Sequence, residues 1–234
     1  MISSKLPNVG TTIFTTMSQL AVQTGALNLS QGFPDFNGPQ ALLDAVGRHI
    51  SAGHNQYSPM TGLPALRQQV VAKIARNYGA RVDADSEVTI TPGATAAIFC
   101  AIHAVIRPGD EVIVFDPCYD SYEPAVELAG GRCVHVQLTA DTFALDWQKL
   151  SDALSPRTRM IVINSPHNPS GALISRDELD QLAAQHLRAF AVRRGLREDI
   201  LGIHREQPAD PRAAVKHLGA EAVGVAQLFA QNGF

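Results

Sequence analysis

Cysteine is scarce: the three copies, at 100, 118 and 133, are odd in number and far apart. That pattern fits neither a disulfide framework nor a zinc-ligand spacing, and a reduced cytoplasmic protein is the expectation. The eight histidines are scattered without a His-x-x-x-His pair, and no Cys-x-x-Cys occurs, so the linear pattern marks no metal centre. Charge of one sign is also lacking. A formal net charge of -3 gives no general attraction to nucleic acid or to an anionic membrane. No apolar run approaches the roughly 20 residues that span a bilayer. The start, Met1-Ile-Ser-Ser-Lys-Leu-Pro7, has neither the apolar stretch nor the small-residue cleavage site of a secretory leader.

What is present describes a globular chain. Hydrophobic residues make up 45% and charged residues 18%, and 234 residues suffice for one α/β domain with a core plus a small extension. Ile13, Met17, Leu20 and Ala21 recur at helical spacing, with Gly25 as a stop. An irregular stretch, Leu27 to Phe36, precedes Pro39, which opens a second helix with Leu42, Leu43, Val46 and Ile50 on one face. A turn-rich segment, His54 to Gly62, leads to Pro64 and a third helix carrying Leu66, Val70 and Ile74.

From Glu87 the pattern changes to short β-branched runs alternating with helices. The runs are Val88–Thr91, Val112–Phe115, Cys133–Val136 and Met160–Ile163; the helices are Ala94–Ile106, Tyr122–Ala129 and Trp147–Leu154. Such alternation predicts βαβ units and a mostly parallel sheet with helices on its faces. Ser175 and Glu178 form a capping-box pattern that starts one more helix. Beyond about His186 arginines crowd the chain and no β-branched run returns, so residues 187–234 read as weakly structured or locally helical, with Asp210-Pro211 as the start of a last helix.

In an open α/β sheet, ligands sit at the carboxyl ends of strands, and three loops there carry unusual residues. Thr91-Pro-Gly-Ala-Thr95 places Gly93 where backbone approaches a ligand closely, with the amides of Ala94 and Thr95 at a helix N-terminus suited to an anion. It has neither the Gly-Lys-Ser/Thr of a Walker loop nor Gly-x-Gly-x-x-Gly, which argues against an ordinary nucleotide-binding domain. Asp116–Pro124 holds Tyr119, placed to stack on a flat heteroaromatic ring or to serve as a half-buried core tyrosine. Asn164–Gly171 is stiffened by two prolines and a glycine, which aims Asn164 and Asn168 in defined directions. His167 in that loop has no acid or nucleophile beside it in sequence and reads as a loop-stiffening or surface residue.

These loops, in this order, after Leu27–Phe36 and Asn55–Arg67 and around Arg107–Val112, resemble the fold-type I, class I/II aminotransferases that use pyridoxal phosphate (PLP). The likeness covers most of residues 10–185 and lies nearest the branch of methionine, kynurenine and glutamine–phenylpyruvate aminotransferases. It implies an incomplete large domain, with 1–53 as an N-terminal arm and part of the small domain, 54–186 as a partial PLP-binding domain and 187–234 as an unmatched tail. It further implies that Gly93, Ala94 and Thr95 hold the PLP phosphate, that Tyr119 stacks on the pyridine, and that Asn168 bonds its phenolic oxygen and approaches the substrate carboxylate. Gly32 is implied in substrate binding, and Tyr57 in reaching across a homodimer to the neighbouring phosphate. The reaction implied is amino-group transfer from an L-amino acid to a 2-oxo acid.

The resemblance also sets an expectation of inactivity. In the family an Asp-x-x-Tyr strand, a Ser-x-x-Lys loop bearing the Schiff-base lysine and a late arginine follow the capping-box helix. None is recognisable here: after Asn168 the sequence holds one lysine, Lys216, in Ala-Ala-Val-Lys-His-Leu. The chain therefore reads as a truncated form with no catalytic residue of its own, or as a non-catalytic PLP- or phosphate-binding or dimerisation fragment.

Overall fold

A computed structural model describes residues 3–183, apart from 8, 33 and 35. The expectations for residues 187–234, Lys216 and the Asp210-Pro211 cap lie outside the described residues. The chain divides into two compact units, Met1–Thr91 and Pro92–Phe234.

The first unit holds three helices, α1 (Ile13–Thr24), α2 (Gln40–Ser51) and α3 (Pro64–Tyr78). Each boundary has a local cause. The Thr12 hydroxyl accepts from the Thr15 amide at 3.3 Å, and Gly25 closes α1 in the left-handed region, where the Ala26 amide reaches Ala21 O at 3.0 Å. Pro39 precedes α2 and Pro64 is its counterpart inside the first turn of α3, where a missing N–H costs nothing. Neither α1 nor α2 buries a residue: Ile13, Leu20, Leu42, Val46 and Ile50 of the expected apolar faces are all exposed.

A buried arginine organises the stretch around α3. Arg67, 7% exposed, donates to the carbonyls of Gly62 at 3.3 Å and of Ala84, and pairs with Asp85 at 3.0 Å. Beside it, the Ile90 amide donates to Thr61 O at 3.0 Å. Gly62 has φ 94°, and a Cβ there would lie 2.5 Å from Ile90 Cγ1. Gly62→Ala is therefore expected to cost about 2–3 kcal/mol, backbone strain plus overpacking, read as a lower urea midpoint. Gly79→Ala, also at positive φ but in open space, should cost distinctly less; equal losses would mean the Ile90 contact is immaterial.

Ile90 also belongs to a correction. Val88–Thr91 is not a strand: its four residues take no regular structure, and a bend follows at 92 and 93. A β-branched run becomes a strand only where a neighbour offers a ladder, and none of the described strands pairs with this one; its Ile90 amide is taken by Thr61.

The second unit is α/β, as the alternation predicts: α4 (Ala94–Val105), β1 (Glu111–Asp116), α5 (Tyr122–Leu128), β2 (Arg132–Gln137), α6 (Trp147–Ala153) and β3 (Thr158–Ile161). The described strands form a parallel sheet of order β2-β1-β3. The strand expected at Met160–Ile163 starts two residues earlier, because Thr158 pairs with Glu111 before an irregularity at Glu111/Val112 resets the register. Val162 still donates to Ile113 O at 2.9 Å beyond the strand's end. Ser175 and Glu178 cap each other reciprocally: the Ser175 amide donates to Glu178 Oε2 at 2.8 Å and the Glu178 amide to Ser175 Oγ at 3.3 Å. Helical residues run from 176 to 183, the last described.

The central strand is buried on both faces, and its alternation sorts two cores. Val112 and Val114 join Ile98, Ile102, Tyr122 and Val126 of α4 and α5. Ile113 and Phe115 join Leu150 of α6 and Leu182. Glu111 begins β1 as a buried carboxylate. It accepts from Arg132 Nη2 at 2.7 Å, Arg157 Nη2 at 2.6 Å and Ser155 Oγ at 2.6 Å, which ties the starts of β2 and β3 to the strand between them.

Candidate functional site

The sheet order sets a switch point between β1 and β3. β1 leads into α5 on one face, whereas β3 leads toward the helical residues 176–183, whose Leu179 and Leu182 pack on the other. Neighbouring strands whose connections leave to opposite faces open a gap at their carboxyl ends, the usual ligand position of such sheets. The loops at that gap are 117–121 and 162–175, two of the three loops that stand out in the sequence. The third loop starts α4 in the same unit.

Gly93 is the residue before α4, at φ 94° and ψ 170°, a conformation open essentially to glycine. The first amides of α4 have no carbonyl of their own helix to bond and carry the positive end of its dipole. Thr95, in that first turn, has its hydroxyl 3.1 Å from the Tyr119 hydroxyl. The fold thus brings together Thr95 and Tyr119, which stand 24 positions apart in the chain. Tyr119 is half-buried and meets Tyr122 edge to face, with ring centroids 5.7 Å apart at 81°.

Tyr122 is the residue that the sequence reading passed over. It is 7% exposed in the core beneath Tyr119, and its hydroxyl bonds the Asn164 side chain, which links the loop after β1 to the loop after β3. Burial raises the Tyr122 hydroxyl above its ordinary value, against the bond from Asn164. The available signal was a second tyrosine three residues after the first, one turn on in the helix that follows the loop.

The Asn164–Gly171 loop is held from within. The His167 amide donates to Ala172 O at 2.8 Å, and His167 Nδ1 lies 2.7 Å from Ser170 Oγ. Burial lowers the His167 pKa, partly opposed by a bond to the Phe115 backbone. His167 is thus a neutral brace for the loop, in agreement with the reading of it as a stiffening residue. Asn168 is half-buried at the loop's turn. Burial, then its bond to Asp116, pushes the Cys118 thiol up to about 12, which favours its protonated form. Gly32 and Tyr57 belong to the first unit and are exposed there, Tyr57 fully.

These groups suit a ligand that combines a phosphate with a flat, substituted ring. Helix-start amides and a hydroxyl bind a phosphate, an aromatic face takes a flat ring, and a fixed amide recognises a ring substituent. PLP has all three features. Lys149, the lysine of the second unit among the described residues, pairs with Asp146 at 3.2 Å on α6. That helix covers the sheet face opposite to α4 and α5.

Comparison with known proteins points the same way. The family model for aminotransferase class I and II matches residues 24–192, a few residues further than the motifs quoted above. The chain is 54% identical over 170 residues to the methionine aminotransferase of Escherichia coli K12, covering 73% of this chain and 44% of that protein. It is 46% identical over 185 residues to a probable N-succinyldiaminopimelate aminotransferase of Mycobacterium tuberculosis, covering 78% and 47%. The chain spans about half the length of the curated relatives it matches. Among solved structures it superposes on Escherichia coli YbdL, described as having a methionine aminotransferase function, with TM-score 0.75 and 49% identity, covering 82% of this chain and 49% of that one. The aspartate aminotransferase of Thermus thermophilus with maleate gives TM-score 0.75 at 30% identity, covering 81% and 51%. The loops at the switch point thus sit on a fold shared with these enzymes, and the chain belongs to the class I and II aminotransferases, a PLP-dependent family.

Proposed function

We propose that this chain contributes the cofactor cradle of an aminotransferase that moves an amino group from an L-amino acid to a 2-oxo acid in the cytoplasm. By itself it binds PLP and does not turn over. The observation that carries this reading is the meeting of Thr95 and Tyr119 at 3.1 Å over the start of α4. The amides of Gly93, Ala94 and Thr95 and the Thr95 hydroxyl hold the phosphate, Tyr119 covers the ring, and Asn168 bonds the phenolic oxygen and meets the substrate carboxylate. When bound, PLP supplies an electron sink for breaking bonds at the amino acid's α carbon. Tyr122 orients Tyr119 from below and holds Asn164 in place.

Residues 1–53 act as an arm and part of the small domain, 54–186 as the partial cofactor domain, and 187–234 as a tail. Gly32 contacts the substrate, and Tyr57 reaches the phosphate held by a second copy in a homodimer. The full exposure of Tyr57 and the uncovered apolar faces of α1 and α2 support that pairing. Because the chain lacks a lysine in a Ser-x-x-Lys setting, binding without chemistry, as a cofactor-holding or dimerising fragment, is the form this reading takes for the isolated chain.

The test is equilibrium binding of PLP, followed by quenching of the fluorescence of the one tryptophan, Trp147. Tyr119→Ala is expected to weaken binding by about 1 kcal/mol through lost stacking. Thr95→Ala should cost about 1–2 kcal/mol through one lost charge-assisted bond. Unchanged affinity in both variants would overturn the assignment of these loops.

A further inference from the structure

A second cluster lies on the same sheet face as α5, and neither the cradle nor the reaction uses it. Asp116 ends β1, and the β1–β2 register sets it opposite Gln137, with Val114 opposite His135. Asp116 and His135 therefore project from the same face, and the loop after β1 brings Cys118 back over them. One oxygen of Asp116, the Cys118 sulfur and one ring nitrogen of His135 all lie within 4.8 Å of one another. His135 Nδ1 is 3.1 Å from Asp116 Oδ1 and 3.0 Å from Oδ2. Gln137 Nε2 donates to Oδ2 at 2.9 Å. The other ring nitrogen, Nε2, faces Glu123 Oε1 at 3.4 Å from the first turn of α5.

That last contact gives the cluster its direction. When an ion displaces the proton that Nδ1 shares with Asp116, that proton passes to solvent and the remaining N–H stays at Nε2, facing Glu123. The Nδ1 lone pair is then turned toward a carboxylate and a sulfur, so three electron donors converge on one point. A carboxylate behind the far nitrogen of a ligating histidine is the usual support of a metal-bound imidazole.

We propose that Asp116, Cys118 and His135 form a binding site for a zinc-type divalent cation, with Glu123 supporting His135 from behind and water at the open fourth position. Sulfur, imidazole and carboxylate together suit a borderline-soft ion rather than calcium or magnesium. Ligand atoms about 2.0–2.3 Å from a tetrahedral ion stand roughly 3.3–3.8 Å apart, so the widest gap closes by about an ångström as the half-buried Cys118 side chain turns inward. On binding, the S–H bond breaks, a metal–sulfur bond forms and the proton passes to solvent. The ion staples β1, β2 and the loop that carries Tyr119. Linear spacing does not register this site, since 17 positions of chain separate Cys118 from His135 and only the parallel ladder joins them.

The experiment titrates Co²⁺ into the full 234-residue chain, stripped with chelator and without PLP. The expected result is one equivalent bound, a thiolate-to-cobalt charge-transfer band in the near ultraviolet, and its loss when Zn²⁺ is added. Cys118→Ser should remove the band, and His135→Ala, at an exposed position, should weaken binding at least tenfold. Glu123→Gln should weaken it roughly tenfold to a hundredfold, whereas Cys100→Ser should leave it intact. No band in the unsubstituted chain overturns the proposal, whatever the folding of the variants. A band that survives Cys118→Ser in a folded protein overturns it too, as does one that Cys100→Ser removes. Because PLP is absent throughout, the outcome is separate from that of the cradle.

Discussion

Replacing Glu111 by Gln is expected to destabilise the second unit by about 2–4 kcal/mol at neutral pH, a loss visible as a Tm lower by several degrees. The carboxylate is buried at the start of the central strand, with its side chain 3% exposed, and four donors converge on it. Besides the Arg132, Arg157 Nη2 and Ser155 bonds, Arg157 Nε donates to Oε1 at 2.8 Å. An amide keeps the shape but presents an NH₂ group to guanidinium donors. The arginines are each about two-thirds exposed and recover water, so the loss stays below that of a wholly buried pair. Acid supplies an independent readout. Burial alone would raise the Glu111 pKa, but the bonds from Ser155, Arg132 and Arg157 outweigh it and hold the group at about 2 against an ordinary 4.5. A folded pKa below the unfolded one means stabilisation that is fully present above pH 4.5 and is lost as pH falls toward 2. On the order of 3 kcal/mol is at stake across that window. Urea midpoints measured from pH 6 down to pH 2.5 should fall for the unsubstituted chain and vary much less for Glu111→Gln. Parallel decline of the two would remove Glu111 as the cause.

The second large effect is in catalysis. With methionine or phenylalanine as donor and a 2-oxo acid as acceptor, the purified 234-residue chain with added PLP is expected to show no transaminase turnover. Amino-group transfer by this family needs a lysine that links to the cofactor and then shuttles the proton. Of the four lysines in the chain, Lys5, Lys73 and Lys149 precede the Asn164–Gly171 loop and Lys216 stands outside any Ser-x-x-Lys setting. Lys149 is held by Asp146 on the far face of the sheet. Turnover that disappears with Lys216→Ala would refute the expectation. Turnover unaffected by that change would trace to a contaminating host enzyme, and a preparation from a transaminase-deficient host separates the two cases. PLP binding with no turnover is the joint outcome that the cradle reading requires.

Most of the helices were legible because their boundaries are local chemistry. Gly25 after α1, Pro64 inside α3 and the Ser175–Glu178 box each act within one turn of chain, so the residues at those positions suffice. The strands were legible only where a partner exists. Val112–Phe115 is apolar on both faces and became the central strand, whereas Val88–Thr91, also rich in β-branched residues but with threonine at every second position, joins none of the described strands. Composition states that a run can be a strand; the neighbouring backbone decides whether it is one.

The site divides in the same way. The amino-acid sequence by itself determined the family, the glycine before α4, the tyrosine after β1 and the stiffened loop after β3, because each is a short stretch whose backbone form follows from its own residues. Only the tertiary structure decided that Thr95 meets Tyr119, that Tyr122 ties Tyr119 to the Asn164 loop, and that Asp116, Cys118 and His135 converge. It also decided that Glu111 holds three strand starts together. The long-range contacts among them join residues 17 to 46 positions apart. No local rule sets such distances; they follow from the parallel register of β1 with its two neighbours and from the alternation that sends successive side chains to opposite faces of the sheet.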